Sequence, residues 1–216
     1  MTARIIVADD HPLFREAIQQ ALTGLFGDVD FVEADSFESL EAAARENEDA
    51  ELVLLDLDMP GTRGFSALAW LRAQYPALPV IIVSAVTEPT IMRRAVDFGA
   101  SGYIPKASPI AKIGEAVRAV QNGDVWLPDA ALAAADENLS EDQVLAERIA
   151  SLTPQQFRVL MMIADGLLNT QIAGELDVSE ATVKAHVTAI FRKMHVRSRT
   201  QAAVAARRLE QVARTD

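Results

Sequence analysis

Two apolar runs of the chain end in carboxylates. Residues 5–8 (IIVA) are followed by Asp9 and Asp10, and residues 52–55 (LVLL) are followed by Asp56. Short apolar runs bounded by an acid and by turn residues are typical of buried strands that carry a carboxylate to the edge of a sheet. Open α/β folds hold their ligands at the carboxyl ends of parallel strands. The pattern therefore predicts an acidic pocket at that edge.

The three carboxylates of this pocket require a counter-charge. Like charges about 4 Å apart repel each other by roughly 4 kcal/mol at an effective dielectric of about 20, so a divalent cation or a proton must relieve them. Oxygen ligands favour Mg²⁺, which keeps water molecules and commonly bridges to a phosphoryl oxygen. A carboxylate beside Mg²⁺ can accept a phosphoryl group as a nucleophile. The predicted chemistry is phosphoryl transfer with Mg²⁺ as the cofactor.

Two further strand ends offer a hydroxyl and a cation. Ser84 follows the apolar run 80–83, and Lys106 follows residues 102–105 (GYIP). Taken singly, an aspartate after a strand is usually a turn or cap residue, and a lone lysine is usually a solvated surface charge. Their joint occurrence at four strand ends favours a common site. We expect that site to use Asp9, Asp10, Asp56, Ser84 and Lys106.

These strand ends belong to an alternating pattern of short apolar strands and helical stretches. The predicted strands are residues 4–8, 29–34, 52–56, 80–84 and 102–105, and the predicted helices lie near 12–25, 37–47, 64–75, 89–98 and 109–121. Near-continuous apolar strands separated by helices indicate a parallel sheet covered on both faces. Residues 1–122 are therefore predicted to form an α/β domain with a five-stranded, doubly wound parallel sheet.

The remainder of the chain contains helical patterns only. We interpret residues 123–150 as a linker with short helical segments, one of them opened by the capping pattern SEDQ at 140–143. Residues 151–216 are predicted to form a small all-α domain whose first helix starts at the capping box TPQQ (153–156). A chain of 216 residues is long enough for two modest domains.

Composition excludes several kinds of site. The chain has no cysteine, which excludes disulfides, zinc–cysteine sites and thiol nucleophiles. The amino terminus enters a predicted strand without a signal-peptide pattern, and no apolar stretch reaches membrane-spanning length. We expect a soluble cytoplasmic protein with no membrane partner.

The net charge differs in sign between residues 1–150 and residues 151–216. Residues 1–150 carry 11 Lys and Arg against 25 Asp and Glu, a net charge of −14, whereas residues 151–216 carry 9 against 6, a net charge of +3. Six basic residues and no acid lie between Arg192 and Arg208. A basic part behind an acidic part indicates nucleic acid as a partner of the basic part.

The basic part contains two adjacent helical stretches joined by a short turn. Residues 169–176 form the first stretch, and the second starts at residue 180. Lys184, Ala185 and Thr188 fall on the outward face of the second helix, where a recognition helix presents residues to the major groove of DNA. On the pattern alone, an ordinary helical hairpin with a solvated cationic face is the alternative.

Residues 3–122 resemble the receiver domain of two-component response regulators, which has a flavodoxin-like fold. Four motifs stand in the order expected of that family: DDHPLFR (9–15), LDLDMPG (55–61), VSA (83–85) and GYIPK (102–106). The resemblance implies that Asp56 is the phosphoacceptor. It also implies that Asp10 and Asp56 bind Mg²⁺ directly, that the backbone carbonyl of Asp58 is the third protein ligand, and that Asp9 acts through water.

The same resemblance implies a switch pair, Ser84 and Tyr103. The hydroxyl would move to the phosphoryl group, and the ring would turn inward behind it. Asp58 occupies a position, two residues past the acceptor, that varies in the family and tunes the lifetime of the phosphoryl group. The lifetime therefore cannot be read from the sequence.

The segment DLD (56–58) also matches the nucleophile signature of phosphohydrolases of the haloacid dehalogenase type. That family opens with this motif and finds its metal-binding acids further along the chain. In this chain the acid pair Asp9-Asp10 comes first, and no later acidic pair follows an apolar strand. A phosphohydrolase remains the alternative enzyme, whereas the receiver resemblance implies that the protein is not a turnover enzyme.

Residues 151–205 resemble the helix-turn-helix of LuxR-type regulators, through motifs such as LTP (152–154), TVKAH (182–186) and KM (193–194). Six residues are placed at DNA by family position: Lys184, Ala185 and Thr188 at base edges, and Thr182, His186 and Arg199 near phosphates. Gln155-Gln156, Leu168 and Thr188 depart from the common pattern and remove charge near DNA. We therefore expect modest affinity that depends on dimerisation.

Together the two resemblances place the chain in the NarL/FixJ class of response regulators. They imply a sensor histidine kinase and double-stranded DNA as partners, a homodimer as the active form, and RNA polymerase as a further partner. They also imply that the unphosphorylated receiver can cover the recognition helix, and that the last helix, near 200–209, can mediate dimers. A phosphate sink or interaction module with weak DNA binding is the alternative function.

Overall fold

The computed structural model describes residues 3–133 and 139–210 of the chain. Five strands, β1 to β5, span Ala3–Ala8, Val29–Ala34, Leu52–Leu55, Val80–Ser84 and Gly102–Pro105. Five helices, α1 to α5, alternate with them and span Pro12–Phe26, Phe37–Glu46, Ser66–Gln74, Pro89–Asp97 and Ile110–Gln121. The predicted alternation is confirmed, and every strand boundary agrees within one residue.

All five strands pair in parallel, in the order β2-β1-β3-β4-β5. The order reverses direction at β1, which lies between β2 and β3, and ligands of such sheets bind where the order reverses. Ala8 is paired with Leu55, so Asp9 and Asp56 follow adjacent strands at the same level. The predicted doubly wound parallel sheet is confirmed, and it brings the two acidic strand ends together.

Helices cover both faces of the sheet, which explains why β1, β3 and β4 carry unbroken apolar runs, whereas β2, at the edge of the sheet, contains Asp30 and Glu33. On one face, Ile5 and Leu54 share a buried cluster with Ile113 of α5. On the other face, Ile6 shares a buried cluster with Leu68 of α3. Because successive residues of a strand point to opposite faces, a strand buried on both sides needs an unbroken apolar run.

After α5 the described residues form helices and loops. Helices α6 to α11 span Asp129–Leu132, Leu139–Ala150, Pro154–Ala164, Asn169–Glu175, Glu180–Lys193 and Arg199–Glu210. The predicted cap at α8 is confirmed, because the Thr153 hydroxyl accepts from the backbone N of Gln156. At the start of α10, the Ser179 hydroxyl accepts from the backbone N of Thr182. Among the described helices, none is long and apolar enough to cross a membrane.

Helix α7 is longer than the short segments predicted for the linker. It has 12 residues and begins at Leu139, before the expected cap at Ser140. Leu145 and Ile149 lie one turn apart on its buried face, and the helix packs against α3 and α4. Packing of an apolar stripe, rather than intrinsic propensity, stabilises helices of this length. Residues 139–150 are therefore an integral part of the fold, not a loose connection.

The ends of α8 and α11 dock against the start of α3. The backbone N of Phe65 donates to the carbonyl of Leu209 at 2.8 Å. The guanidinium of Arg63 pairs with Asp165, which follows α8, and with Glu210 at the end of α11. The ends of α8 and α11 thus form part of the docking surface, to which Arg158 in the first half of α8 adds an ion pair with Glu41 of α2.

A buried carboxylate joins three helices at this interface. Asp142 of α7 accepts from Nε of Arg94 on α4 at 2.6 Å and from Nη2 of Arg208 on α11 at 2.8 Å. Arg94 also donates to the backbone carbonyl of Arg208 at 3.2 Å. The Asp142 side chain is 1% exposed, so its charge is balanced by these arginines rather than by water. We call Arg94, Asp142 and Arg208 the interdomain clamp.

Candidate functional site

The carboxyl ends of β1, β3 and β5 bring two carboxylates and a lysine into contact. Nζ of Lys106 donates to Oδ2 of Asp56 at 2.8 Å and lies 2.7 Å from Oδ2 of Asp9. Asp9 and Asp56 are 2% and 3% exposed. The lysine therefore bridges two buried acids that come from neighbouring strands, as the positions of the strand ends predicted.

Burial and ion pairing oppose each other at this contact. Removal from water raises the pKa of Asp56, and the hydrogen bond and charge of Lys106 only partly offset that shift. For Lys106, burial lowers the pKa, but the interactions with the carboxylates of Asp56 and Asp9 together outweigh it, so the net shift is upward. The short contact favours a charged pair at neutral pH, with an ionised Asp56 as a nucleophile requires.

The acids of the β1 and β3 ends fit a hard divalent cation. Potential ligand atoms of Asp9, Asp10, His11 and Asp56 lie within 4.8 Å of one another. Oδ2 of Asp9 and Oδ1 of Asp10 are buried, and neither accepts a hydrogen bond of good geometry. Nζ of Lys106 lies 2.7 Å from the first oxygen, and Nδ1 of His11 lies 2.5 Å from the second. Buried oxygen acceptors that lack hydrogen bonds, with several carboxylates converging, match the donor set that Mg²⁺ prefers.

Asp58 differs from the other acids of the proposed site. Its side chain is exposed, whereas the backbone around it faces the site: its N–H group lowers the pKa of Asp56. This placement is compatible with a backbone contribution and not with a side-chain contribution to the metal site. The carbonyl of Asp58 as a metal ligand stays a prediction.

Ser84 and Tyr103 are connected through the loop that follows β4. Ser84 is buried at the strand end, and its hydroxyl accepts from the backbone N of Val86 at 3.3 Å. The hydroxyl of Tyr103 donates to the carbonyl of Val86 at 2.8 Å. The ring is fully buried, and burial raises the pKa of its hydroxyl. The Tyr103 ring already lies inward, and a movement of Ser84 and Tyr103 on phosphorylation stays a prediction.

Sequence reasoning assigned no role to three residues beside the site. The ring centroid of Phe14 lies 4.8 Å from Nζ of Lys106, at cation–π distance. Nδ1 of His11 lies 2.5 Å from Oδ1 of Asp10, and Arg15 donates to the backbone carbonyl of Asp9. All three lie in the segment that directly follows the acid pair, so their position in the motif DDHPLFR was the available signal.

The predicted DNA-reading face is exposed although the two parts of the chain are docked. Lys184, Ala185 and Thr188 of α10 are exposed, while Val183 and Ile190 of the same helix are buried. Nζ of Lys184 lies 3.0 Å from Glu180, in an i,i+4 pair on the surface. The expectation that the receiver covers this face is therefore wrong for the described arrangement, because docking uses α7, α8 and α11 instead.

The residues predicted to lie near phosphates differ among themselves. Thr182 is exposed at the start of α10, and His186 is half-buried. The guanidinium of Arg199 points inward and donates to the carbonyl of Leu167 and to Oδ1 of Asn169. Arg199 thus fixes the start of α9. Its phosphate contact stays a prediction, and its replacement is expected to lower the stability of the helix-turn-helix as well.

Two family models match the chain. The response regulator receiver domain matches residues 5–118, which is more than half of the chain, and the luxR family of bacterial regulatory proteins matches residues 150–206. The first range contains the acidic site, and the second contains α8 to α10 and the start of α11.

Curated relatives are similar over nearly the whole chain. The glycerol metabolism activator of Pseudomonas putida is 40% identical over 208 residues, 94% of each protein. The nitrate/nitrite response regulator protein NarL of Escherichia coli (strain K12) is 32% identical over 203 residues, again 94% of each protein. The response regulator protein VraR of Staphylococcus aureus (strain Mu3) is 30% identical over 205 residues, 94% of this chain and 96% of the relative.

Solved structures share the fold. A structure of two RcsB dimers bound to two parallel DNAs matches with a TM-score of 0.55 at 24% identity, over 95% of this chain and 98% of that chain. Matches to a receiver model, a luxR-family model and full-length relatives all agree with the geometry described above. The chain therefore belongs to the response regulators of the NarL/FixJ class, with a receiver domain followed by a LuxR-type DNA-binding domain.

Proposed function

We propose that a sensor histidine kinase phosphorylates Asp56, and that this modification controls sequence-specific DNA binding and transcription. The observation that carries the proposal is the bridge from Lys106 to Asp56 and Asp9, in the acidic cluster that also contains Asp10. The exposed face of α10 in the same chain offers the DNA-binding surface that phosphorylation would control. The relatives described as regulators and as an activator support a role in transcription.

The proposed step is a transfer between a histidine and Asp56. A carboxylate oxygen of Asp56 attacks the phosphorus, the P–N bond breaks, and its electron pair returns to the imidazole, which takes up a proton. Lys106, already 2.8 Å from Oδ2 of Asp56, offsets charge on the transferred group. Asp10, Asp56 and the carbonyl of Asp58 would hold Mg²⁺, with Asp9 acting through water, and the ion supplies positive charge for the phosphoryl oxygens when bound.

Stoichiometry tests the proposed site against a phosphohydrolase. With Mg²⁺ and a small acyl-phosphate donor, we expect uptake of one phosphoryl group per chain, followed at most by slow autodephosphorylation. Intact-protein mass spectrometry and donor consumption measure the two quantities separately. Rapid, continuing consumption of the donor without a phosphorylated chain would contradict the proposal and favour an enzyme.

Lys184 is proposed to read a base. A lysine on the first turns of a recognition helix can donate to O6 and N7 of guanine. Lys184→Ala should then lose roughly 1–3 kcal/mol on the preferred site and relax specificity at one position. Lys112→Ala is the matched control, because Lys112 is also exposed and paired with a glutamate three residues away, but lies on α5.

Titrations of both variants on preferred and scrambled DNA, across a salt series, check this assignment. If Lys184→Ala weakened binding to both DNAs equally, Lys184 would be assigned to the phosphate backbone of the DNA, because phosphate contacts carry no sequence information. Ala185 and Thr188 would then have to carry the base reading. The control variant should bind both DNAs as the unchanged protein does.

The partners follow from the same proposal. A homodimer would place two copies of α10 on two half-sites of double-stranded DNA, and RNA polymerase would be the further partner in transcription. The surface of α11 suits such a dimer in one respect: Val204 remains exposed while Ala202 and Ala206 pack inward. A change of molecular mass on phosphorylation, measured by light scattering, tests the dimer.

A further inference from the structure

Arg15, in the first turn of α1, connects the second strand of the sheet to the acidic site. Its Nη1 donates to the backbone carbonyl of Asp9 at 2.5 Å, and its Nε donates to Oε2 of Glu33 on β2 at 2.7 Å. The other oxygen of Glu33 accepts from Nε2 of Gln19 at 2.9 Å. The arginine side chain is only 12% exposed. A single guanidinium therefore joins α1, β2 and the end of β1.

The hydrogen bond from Arg15 holds the peptide group between Asp9 and Asp10. The backbone N of Asp9 donates to the carbonyl of Ala34, and Oδ1 of Asp9 accepts from the backbone N of His11 at 2.9 Å. Arg15 holds the remaining polar group, the carbonyl that leads into Asp10. With these three groups held, the Asp9 carboxylate and the backbone of Asp10 have little freedom to turn away from the site.

Glu33 and Gln19 keep the arginine in this orientation. The hydrogen bond from Gln19, followed by the one from Arg15, lowers the pKa of Glu33, so the carboxylate is ionised at neutral pH. A guanidinium can direct two donors at two acceptors in a fixed plane, whereas a lysine has one terminal nitrogen. Only an arginine at position 15 can contact Glu33 and the Asp9 carbonyl through separate nitrogens.

We propose that Arg15 is a positioning residue of the Mg²⁺ site: it acts through the Asp9 carbonyl and is supported by Glu33. The inference rests on the proposed function, because it assumes that the acidic cluster binds Mg²⁺. It adds a residue that touches neither the metal nor the phosphoryl group. Residues that orient metal ligands typically change metal affinity by about 10- to 100-fold when they are replaced.

Whether Arg15→Ala weakens or tightens Mg²⁺ binding distinguishes a positioning role from a purely electrostatic one. Arg15 carries a positive charge near the cluster, so its removal on electrostatic grounds alone should tighten the binding of a cation. Loss of positioning should weaken it. Arg15→Ala is therefore expected to raise the dissociation constant for Mg²⁺ by about 10-fold or more, against the electrostatic trend.

Arg4→Ala is the matched control. Arg4 lies at the opposite end of β1 and pairs with Asp30 on β2 and with Asp49, so its removal deletes the same charge and a comparable β1–β2 contact. Mg²⁺ titration calorimetry on the full chain at constant ionic strength is the measurement. We expect Arg4→Ala to bind Mg²⁺ like the unchanged protein and Arg15→Lys to be weakened, because a single ammonium nitrogen cannot occupy both of the positions that Nε and Nη1 of Arg15 hold.

Phosphoryl uptake gives a second readout. If Arg15 only positions the metal ligands, Arg15→Ala should need more Mg²⁺ for half-maximal labelling of Asp56 and should approach the normal rate at saturating Mg²⁺. Thermal unfolding without Mg²⁺ controls for folding. If Arg15→Ala does not fold, Glu33→Gln replaces it, since it leaves the arginine in place and should raise the dissociation constant less.

The outcomes distinguish the inference from the function on which it rests. Saturable Mg²⁺ binding by the unchanged chain, with unchanged or tighter binding by folded Arg15→Ala, would overturn the inference alone. Equal weakening by Arg4→Ala would also overturn it, because the effect would then not be local. No saturable binding by the unchanged chain would overturn the proposed Mg²⁺ site and the inference with it.

Discussion

Replacement of Asp56 by asparagine is expected to abolish phosphoryl uptake. The amide cannot form the acyl phosphate, and its loss of charge also removes the partner that Lys106 contacts at 2.8 Å. Asp124→Asn is the control, because it makes the same chemical change on an exposed side chain outside the proposed site. Mass spectrometry after treatment with Mg²⁺ and an acyl-phosphate donor should find the modification in the control and not in Asp56→Asn.

A second variant, Lys106→Ala, tests the conformational switch that is expected to follow phosphorylation. The ammonium lies between Asp9 and Asp56, so its removal leaves two buried carboxylates with less compensation and should not prevent Mg²⁺ from binding. We expect the response to phosphorylation to suffer more than the metal affinity does. Undiminished labelling of Asp56→Asn would make another residue the acceptor and would remove the basis for both expectations.

Replacement of Asp142 by alanine is expected to separate the two parts of the chain. The variant leaves Arg94 and Arg208 facing each other without the carboxylate that both contact. Removing one partner of a buried ion pair costs about 3–5 kcal/mol. Here the cost should lie below that range, because Arg208 is partly solvated and screened. Unfolding by urea should change from one transition to two as docking is lost.

Glu141→Ala is the control for this prediction. Glu141 is adjacent in sequence and also pairs with Arg208 at 2.6 Å, but its side chain is 65% exposed. Surface pairs of this kind contribute at most about 1 kcal/mol. If Asp142→Ala and Glu141→Ala lowered stability equally, or if neither changed the unfolding profile, the interdomain clamp would not hold the two parts together.

The sheet and the acidic site could be predicted because each depends on residues that lie close together in the sequence. β1, β3 and β4 each contain an unbroken apolar run with a proposed site residue at its end, Lys106 follows β5, and parallel pairing brings those ends to one edge. This is why Asp9, Asp56 and Lys106 were placed together correctly from the residues alone. The exposed face of α10 was predictable for a similar reason, because its buried positions recur with helical spacing.

The interface between the two parts depends on contacts that are distant in sequence. Asp142 contacts Arg94 and Arg208, which are 48 and 66 residues away. No periodicity or motif records such a pairing, so α7 was taken for part of a linker. The expected covering of the recognition helix rested on the family resemblance, supported by the opposite net charges of the two parts. Net charge gives attraction but does not specify which faces meet.

Arg199 illustrates a further limit. An arginine at the start of a helix in a basic segment can serve a phosphate or the fold, and the sequence is the same in both cases. Its contacts with Leu167 and Asn169 show a structural role, which only the folded chain makes visible, and its phosphate contact stays a prediction. Arg15 is comparable, because its partners Asp9 and Glu33 are neighbours only through the pairing of β1 with β2.

The central claim is that the state of Asp56 controls DNA binding. Its most direct test is a titration of full-length protein on a site found by genome-wide mapping of bound DNA. The unchanged chain and Asp56→Asn are each measured with and without Mg²⁺ and an acyl-phosphate donor. We predict that the donor changes the affinity of the unchanged chain for this site, and leaves Asp56→Asn unaffected. Equal affinity of the unchanged chain in both states, with labelling of Asp56 verified in the same sample, would contradict the account.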